Sequence, residues 1–420
     1  MPKSLLPLLA LLLGSGFLFF AGGINGLLLP IKGADEGFST LTLGFLGTGW
    51  SVGYILGCLK VPKLVAKVGH VRSFSVMAAV ASLSILLSAL IIYPIAWIIL
   101  RALAGFAFAG AAMIVEGWLT DKTEVKSRGS VFGIYTMVNL FASTLGQLSL
   151  AFSETIGIGF FIFGAVFYSL AILPTAISAS SAPAQINRAE LDMKALWRNS
   201  PIALVAILFV GISNGAFGTL GAVYAKDIGL NLTYIALFMS APILTGALFQ
   251  IPVGYLSDRM DRRIVLVGLG IIAIASDLLF IFLLSIDPML LLVKSALLGA
   301  AIFAMHPIII AHANDHAEEG TGLQVSGGLL LIYGVGSIVG PLVAGVGMTL
   351  IGPSGLFAMM LVSHVVIVLY TLLRLSKREA VAQEDKGAFV VTIPVRGSTP
   401  QTTVLSGQSV ENEDETDTKK

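Results

Sequence analysis

Arg101, Glu116, Asp277, Lys294 and His306 stand inside long apolar stretches of this 420-residue chain. A charge taken out of water costs several kcal/mol, so ionisable residues in such places are candidates for function. Arg101 and Lys294 could bind an anionic group, or could be pinned to backbone carbonyls or a carboxylate. For Lys294 the expected partner is Asp277. Counted from the turn near Asp287-Pro288, their side chains differ in depth by about 6 Å at 1.5 Å per residue, so Lys294–Asp277 is read as a structural pair. Asp277 and Glu116 are also the carboxylates that could carry a proton. The plainer reading of Glu116 is an ion pair with Arg72, Lys122, Lys126 or Arg128. His306 precedes Pro307, which removes a backbone donor and kinks a helix; a histidine there could carry a proton or bond a ligand. Asn25-Gly26 and Asn214-Gly215 each join an amide to a glycine at which a neighbour can approach the backbone, and Asn25 and Asn214 are read as ligand contacts. Asn139, Gln147 and Gln250 are read as helix packing. His312, Asp315, His316, Glu318 and Glu319 crowd together in what reads as a solvated helix end, and no metal site is assigned there.

The elements that must hold these residues follow from composition. Hydrophobic residues make up 56% of the chain and charged ones 12%, with a mean hydropathy of +0.92. A soluble domain carries about a quarter charged residues, so this apolar surface must face lipid. Runs nearly free of charge recur at 5–30, 40–59, 73–93, 95–119, 130–152 and 157–179. A second set occupies 201–223, 233–255, 264–286, 289–311, 323–347 and 354–374. Each is long enough to cross a hydrocarbon core of about 30 Å as a helix. The fold expected is all-α and integral to the membrane, with twelve transmembrane helices in two six-helix bundles, 1–180 and 200–375. A cytoplasmic central loop, 181–199, joins the bundles, and a polar tail, 376–420, is expected to be disordered. The apolar start continues to Leu29, which favours a spanning helix over a cleaved signal peptide. Of the 25 basic residues, Lys32 and Lys226 fall in outward loops and Arg101 and Lys294 inside helices, leaving 21 on the inner side. Both termini are therefore expected in the cytoplasm and the chain in the cytoplasmic (inner) membrane. The halves repeat each other: Asn-Gly in the first helix of each, a basic residue in the fourth (Arg101, Lys294), and Ile-Tyr in the fifth (Ile134-Tyr135, Ile332-Tyr333).

The loop Gly254-Tyr-Leu-Ser-Asp258-Arg259-Met-Asp-Arg262-Arg263 resembles the G-x-L-x-D-R-x-x-R-R loop of the major facilitator superfamily. The matching first-half loop, Pro62–Arg72, is degenerate, with Pro62 in place of glycine and Ala66 in place of aspartate. Arg101-Ala-Leu-Ala-Gly105 through Glu116-Gly-Trp118, and Gly299 through Pro307 to Gly336–Gly340-Pro341, are similar to the YcaD-like branch of that family. The resemblance covers residues 1–375. It implies a two-bundle fold and secondary transport by alternating access. Within it, Asp258, Arg259, Arg262, Arg263 and Arg72 are expected to form a cytoplasmic latch of charge-assisted bonds. Gly336–Pro341 is similar to the glycine-proline motif of drug–proton antiporters, which carry it on the fifth helix; here the fifth helix reads Ser143-Thr-Leu-Gly146-Gln147, without proline.

These readings bound the function. A net charge of +1 argues against a nucleic-acid partner, and the single Cys58 excludes an internal disulfide or a cysteine metal cluster. No phosphate-binding G-x-x-x-x-G-K-[ST] run occurs, and no Ser/His/Asp or paired-carboxylate arrangement is legible at membrane depth, so neither an enzyme nor a cofactor is expected. The expected activity is secondary transport of a small organic solute, metabolite- or vitamin-like and heteroaromatic in the manner of riboflavin, with a coupling proton and the bilayer as partners, by a monomer. The alternatives are multidrug efflux by proton antiport and a non-transporting membrane sensor or assembly factor of the same fold.

Overall fold

A computed structural model describes residues 5–123, 127–177, 193–284, 286–317 and 321–377, with positions 381, 386, 389, 399 and 402. The side chains of 5–7 and 322–323 are outside that description. So are most of the central loop and most of the tail expected to be disordered. Among the described residues, twelve helical stretches are long and apolar enough to cross a membrane. They are α1 (Leu5–Asp35), α2 (Thr40–Val68), α3 (His70–Leu90), α4 (Pro94–Lys122), α5 (Arg128–Leu148), and α6 (Ile158–Leu170) continued by α7 (Ile172–Ile177). After the seven-residue α8 (Met193–Asn199) come α9 (Pro201–Asp227), α10 (Leu232–Arg259), α11 (Arg262–Phe282), α12 (Pro288–Asn314), α13 (Gly322–Ile351) and α14 (Gly355–Leu375).

Local chemistry sets the helix ends. Pro94, Pro201 and Pro288 occupy first turns, where a missing N–H costs nothing. Asn231, Asp261 and Asp287 cap α10, α11 and α12 by accepting from Tyr234 N, Arg263 N and Met289 N. Between α2 and α3 the chain turns at Gly69, whose φ of 87° favours a residue without a Cβ.

The chain divides into two compact units. Unit 1 comprises Met1–Lys32, Gly49–Arg188 and Gly397–Lys420; unit 2 comprises Gly33–Thr48 and Ala189–Arg396. Residues 33–48 group with unit 2 because Thr40 and Thr48 donate to the α13 carbonyls of Gly345 (3.2 Å) and Ile338 (2.7 Å). Within each unit, glycines bring helices to backbone contact. In unit 1, Gly53 of α2 backs onto Ala102 O of α4, and Gly105 returns the contact at Trp50 O. Gly23 of α1 and Gly146 of α5 do the same at Ser143 O and Phe20 O. In unit 2, Gly211 of α9 meets Tyr333 O of α13 while Gly336 and Gly340 meet Leu208 O and Ile212 O, and Gly299 of α12 backs onto Pro242 of α10. Each pair in unit 1 thus has its counterpart in unit 2, the relation that the repeated sequence features anticipate.

Candidate functional site

In unit 1, Asn25 and Arg101 converge on a residue the sequence did not single out. Tyr168 of α6 is 2% exposed, hydrogen-bonds with the Asn25 side chain and lies in the field of the Arg101 guanidinium. The glycine after Asn25 has open space around it, whereas Gly215, after Asn214, is met by Ser337 of α13. The close approach expected at both glycines is thus made at one of them, by a helix.

Among the described residues, which leave out Lys126, Glu116 takes none of the ion pairs expected of it. Its carboxylate is fully buried, and its hydrogen-bond partners among the described residues are three hydroxyls: Tyr135 (3.1 Å), Thr402 (2.8 Å) and Thr399. Side-chain direction explains the difference. Glu116 turns into the bundle towards α5, whereas Arg72 and Lys122 are exposed. Aromatic rings also close on one another, with the Phe19 and Phe108 centroids 5.0 Å apart in unit 1 and the Phe217 and Phe238 centroids 5.9 Å apart in unit 2.

In unit 2 the expected Lys294–Asp277 pair is absent among the described contacts. Lys294 donates to Leu283 O and holds its ammonium 5.5 Å from the Phe280 ring centroid. Leu283 caps α11, where the last carbonyls lack intrahelical donors, so a cation finds compensation there without a carboxylate. Asp277 instead accepts from His364 Nδ1 at 2.6 Å, and His364 Nε2 lies 2.9 Å from Ser213 Oγ. Depth matched Lys294 to Asp277, but it is α14 that presents a side chain to the Asp277 carboxylate. A Ser/His/Asp row therefore exists at membrane depth, contrary to the sequence reading. It is at most 1% exposed and ties α9, α11 and α14 together, which leaves Ser213 without the access a nucleophile needs. Two expected site residues remain unsatisfied: Asn214 and His306 are 6% and 2% exposed, and among the described residues no hydrogen bond reaches either amide atom or either ring nitrogen. The His306 ring stands edge-on to Tyr333, with centroids 5.5 Å apart.

The loop after α10 engages its charges within unit 2. Arg262 is 1% exposed and pairs with Asp315 at 2.7 Å, while motif residue Asp258 is farther away at 3.6 Å and half exposed. Ser257 Oγ accepts a further bond from Arg262. Arg263 pairs with Asp261 at 2.6 Å, and Arg259 lies over the Tyr255 ring. Burial by itself would raise the Asp261 pKa, but bonds from the Arg263 side chain and backbone outweigh it and hold the carboxyl below its usual value. Asp315 was read from sequence as part of a solvated end; folding takes it to 2% exposure beside Arg262. Arg72 remains exposed on α3.

Twelve helical spans, with polar side chains held inside each of two units, define a multi-pass membrane protein. The family model of the Major Facilitator Superfamily matches residues 11–322 and again 202–407. An uncharacterized MFS-type transporter of Enterobacter sp. (strain 638) is 26% identical over 342 residues, 80% of this chain and 87% of that protein. YcaD of Escherichia coli (strain K12 / DH10B), also an uncharacterized MFS-type transporter, is 26% identical over 338 residues with the same coverage. Among solved structures, the nucleoside transporter NupG superposes with a TM-score of 0.73 at 14% identity, covering 89% of this chain and 100% of that one. A bacterial homolog of the human lysosomal transporter Spinster, inward-facing and occupied, gives a TM-score of 0.71 at 17% identity, covering 90% and 97%. At those identities the likeness is one of fold. The chain belongs to the Major Facilitator Superfamily. It is a transporter of a small solute, and its relatives are transporters and not enzymes.

Proposed function

We propose that the solute is a heteroaromatic metabolite bearing both hydrogen-bond donors and acceptors, bound in unit 2 beside Asn214, His306 and Tyr333. The observation that carries this reading is the pair of buried, unsatisfied side chains, Asn214 and His306. A buried polar group left without a partner costs about 1–3 kcal/mol, so a ligand that satisfies an amide and an imidazole together recovers that cost on binding. The edge-on Tyr333 ring favours a planar partner. Flavins and nucleosides both have this chemistry, and NupG is a nucleoside transporter. We read the Asp277–His364–Ser213 row as the carrier of a coupling proton. Its support is a carboxylate and an imidazole sharing one hydrogen bond where water is excluded, an arrangement that holds a proton at defined atoms.

The test is thermal unfolding of the detergent-purified protein with riboflavin, uridine, adenosine and non-aromatic polyols. Ligand at a hundred times its Kd stabilises the folded state by about 2.7 kcal/mol. A heteroaromatic compound should raise the midpoint, and His306→Ala or Asn214→Ala should abolish the rise while leaving the unliganded midpoint near wild type. Stabilisation by lipophilic cations alone would replace this reading with multidrug efflux.

A further inference from the structure

The far end of the chain reaches a buried acid that the proposed solute and proton sites leave unassigned. Glu116 and Thr399 are both 0% exposed and Thr402 is 2% exposed, although the two threonines lie 283 and 286 residues beyond the glutamate. The two are bonded to each other: Thr402 N donates to Thr399 O at 3.1 Å, and Thr399 N donates to Thr402 Oγ1 at 2.8 Å. Both hydroxyls reach one carboxylate, which Tyr135 approaches from α5. Nearer the bundle, Lys386 donates to Met260 O at 2.7 Å, and the Phe389 ring occupies the space a side chain at Gly254 would need. Ordering a polar segment and drying its hydroxyls costs conformational entropy and hydration, and bonds to a charged acceptor are the neutral hydroxyl's strongest compensation.

We infer that the Glu116 carboxylate is a docking site for hydroxyl donors and that its resident ligands are this chain's own Thr399 and Thr402. Seated there, the two threonines occupy both carboxylate oxygens, so anything that is to protonate or bind Glu116 must first displace them. The tail is in this sense an intrachain competitor for the buried acid. The docking stands on its own contacts and does not depend on the solute or proton reading.

The experiment uses the full chain in mild detergent, where membrane sidedness does not enter. Cys58 is the only cysteine, so Cys58→Ser combined with Thr402→Cys leaves one thiol, at a docked position. Its reaction with fluorescein maleimide should be at least tenfold slower in the native protein than after denaturation in SDS. Adding Glu116→Ala should restore at least a tenfold faster native reaction. Adding Thr399→Val, which alters only the tail and leaves the helices intact, should do the same. A native thiol as reactive as the denatured one, or protection that survives both added substitutions, overturns the inference.

Discussion

Arg262 shows how a partner is chosen at the scale of a single residue. Its guanidinium is buried, and two carboxylates compete for it: Asp258, one turn back on its own side of the sequence motif, and Asp315, 53 residues on. The nearer bond is to the buried Asp315. Removing one partner of a buried pair strands the other charge and costs about 3–5 kcal/mol, whereas a half-exposed partner at longer range contributes less than about 1 kcal/mol. Asp315→Asn should therefore lower the unfolding midpoint clearly, and Asp258→Asn should leave it within error of wild type while impairing transport if the motif acts as a latch. Thermal melts of the two variants in one detergent decide the matter, and an equal loss from both would refute the ranking. That Asp277 lies inside an apolar stretch was legible from its neighbours in sequence; that Arg262, read as part of a charged loop, would be buried was not. Their actual partners, Asp315 for Arg262 and His364 for Asp277, were not legible either, because hydrogen bonds across 53 and 87 positions depend on which helix faces which.

At the scale of elements, the helices of each unit meet through glycines. Gly336 of α13 abuts Leu208 O of α9, a backbone atom that cannot rotate away, so an added methyl must push the two helices apart. Overpacking of this kind costs about 1–3 kcal/mol. Gly117 of α4 has nothing within 4 Å of its would-be Cβ. Gly336→Ala should reduce both folded yield on size exclusion and the melting midpoint, whereas Gly117→Ala should match wild type or exceed it slightly because alanine is the better helix former. A neutral Gly336→Ala would mean that α9 and α13 are not held at backbone distance. An abundance of glycine is visible in composition, but the contacts that use it appear only once the helices are packed.

At the scale of the whole molecule, we propose that both termini lie in the cytoplasm. The proposal rests on the retention of basic loops: Lys32 and Lys226 are the exceptions on the outward side. Reporter domains fused after Lys420 and inserted at 37–38 should report opposite faces of the membrane; a common face would require a different topology. Twelve spans and the family were legible in the sequence, because they depend on local quantities: run length, hydropathy and a short charged motif. What tertiary structure decided is which polar groups meet. Tyr168 bonds with Asn25, His364 and not Lys294 meets Asp277, and two tail threonines reach Glu116. Each of these depends on the rotation of one helix about its axis or on the path of a distant segment. Hydropathy averages over both, so in a membrane, where apolar residues cover nearly every face, the sequence pattern leaves the facing of the few polar ones to packing.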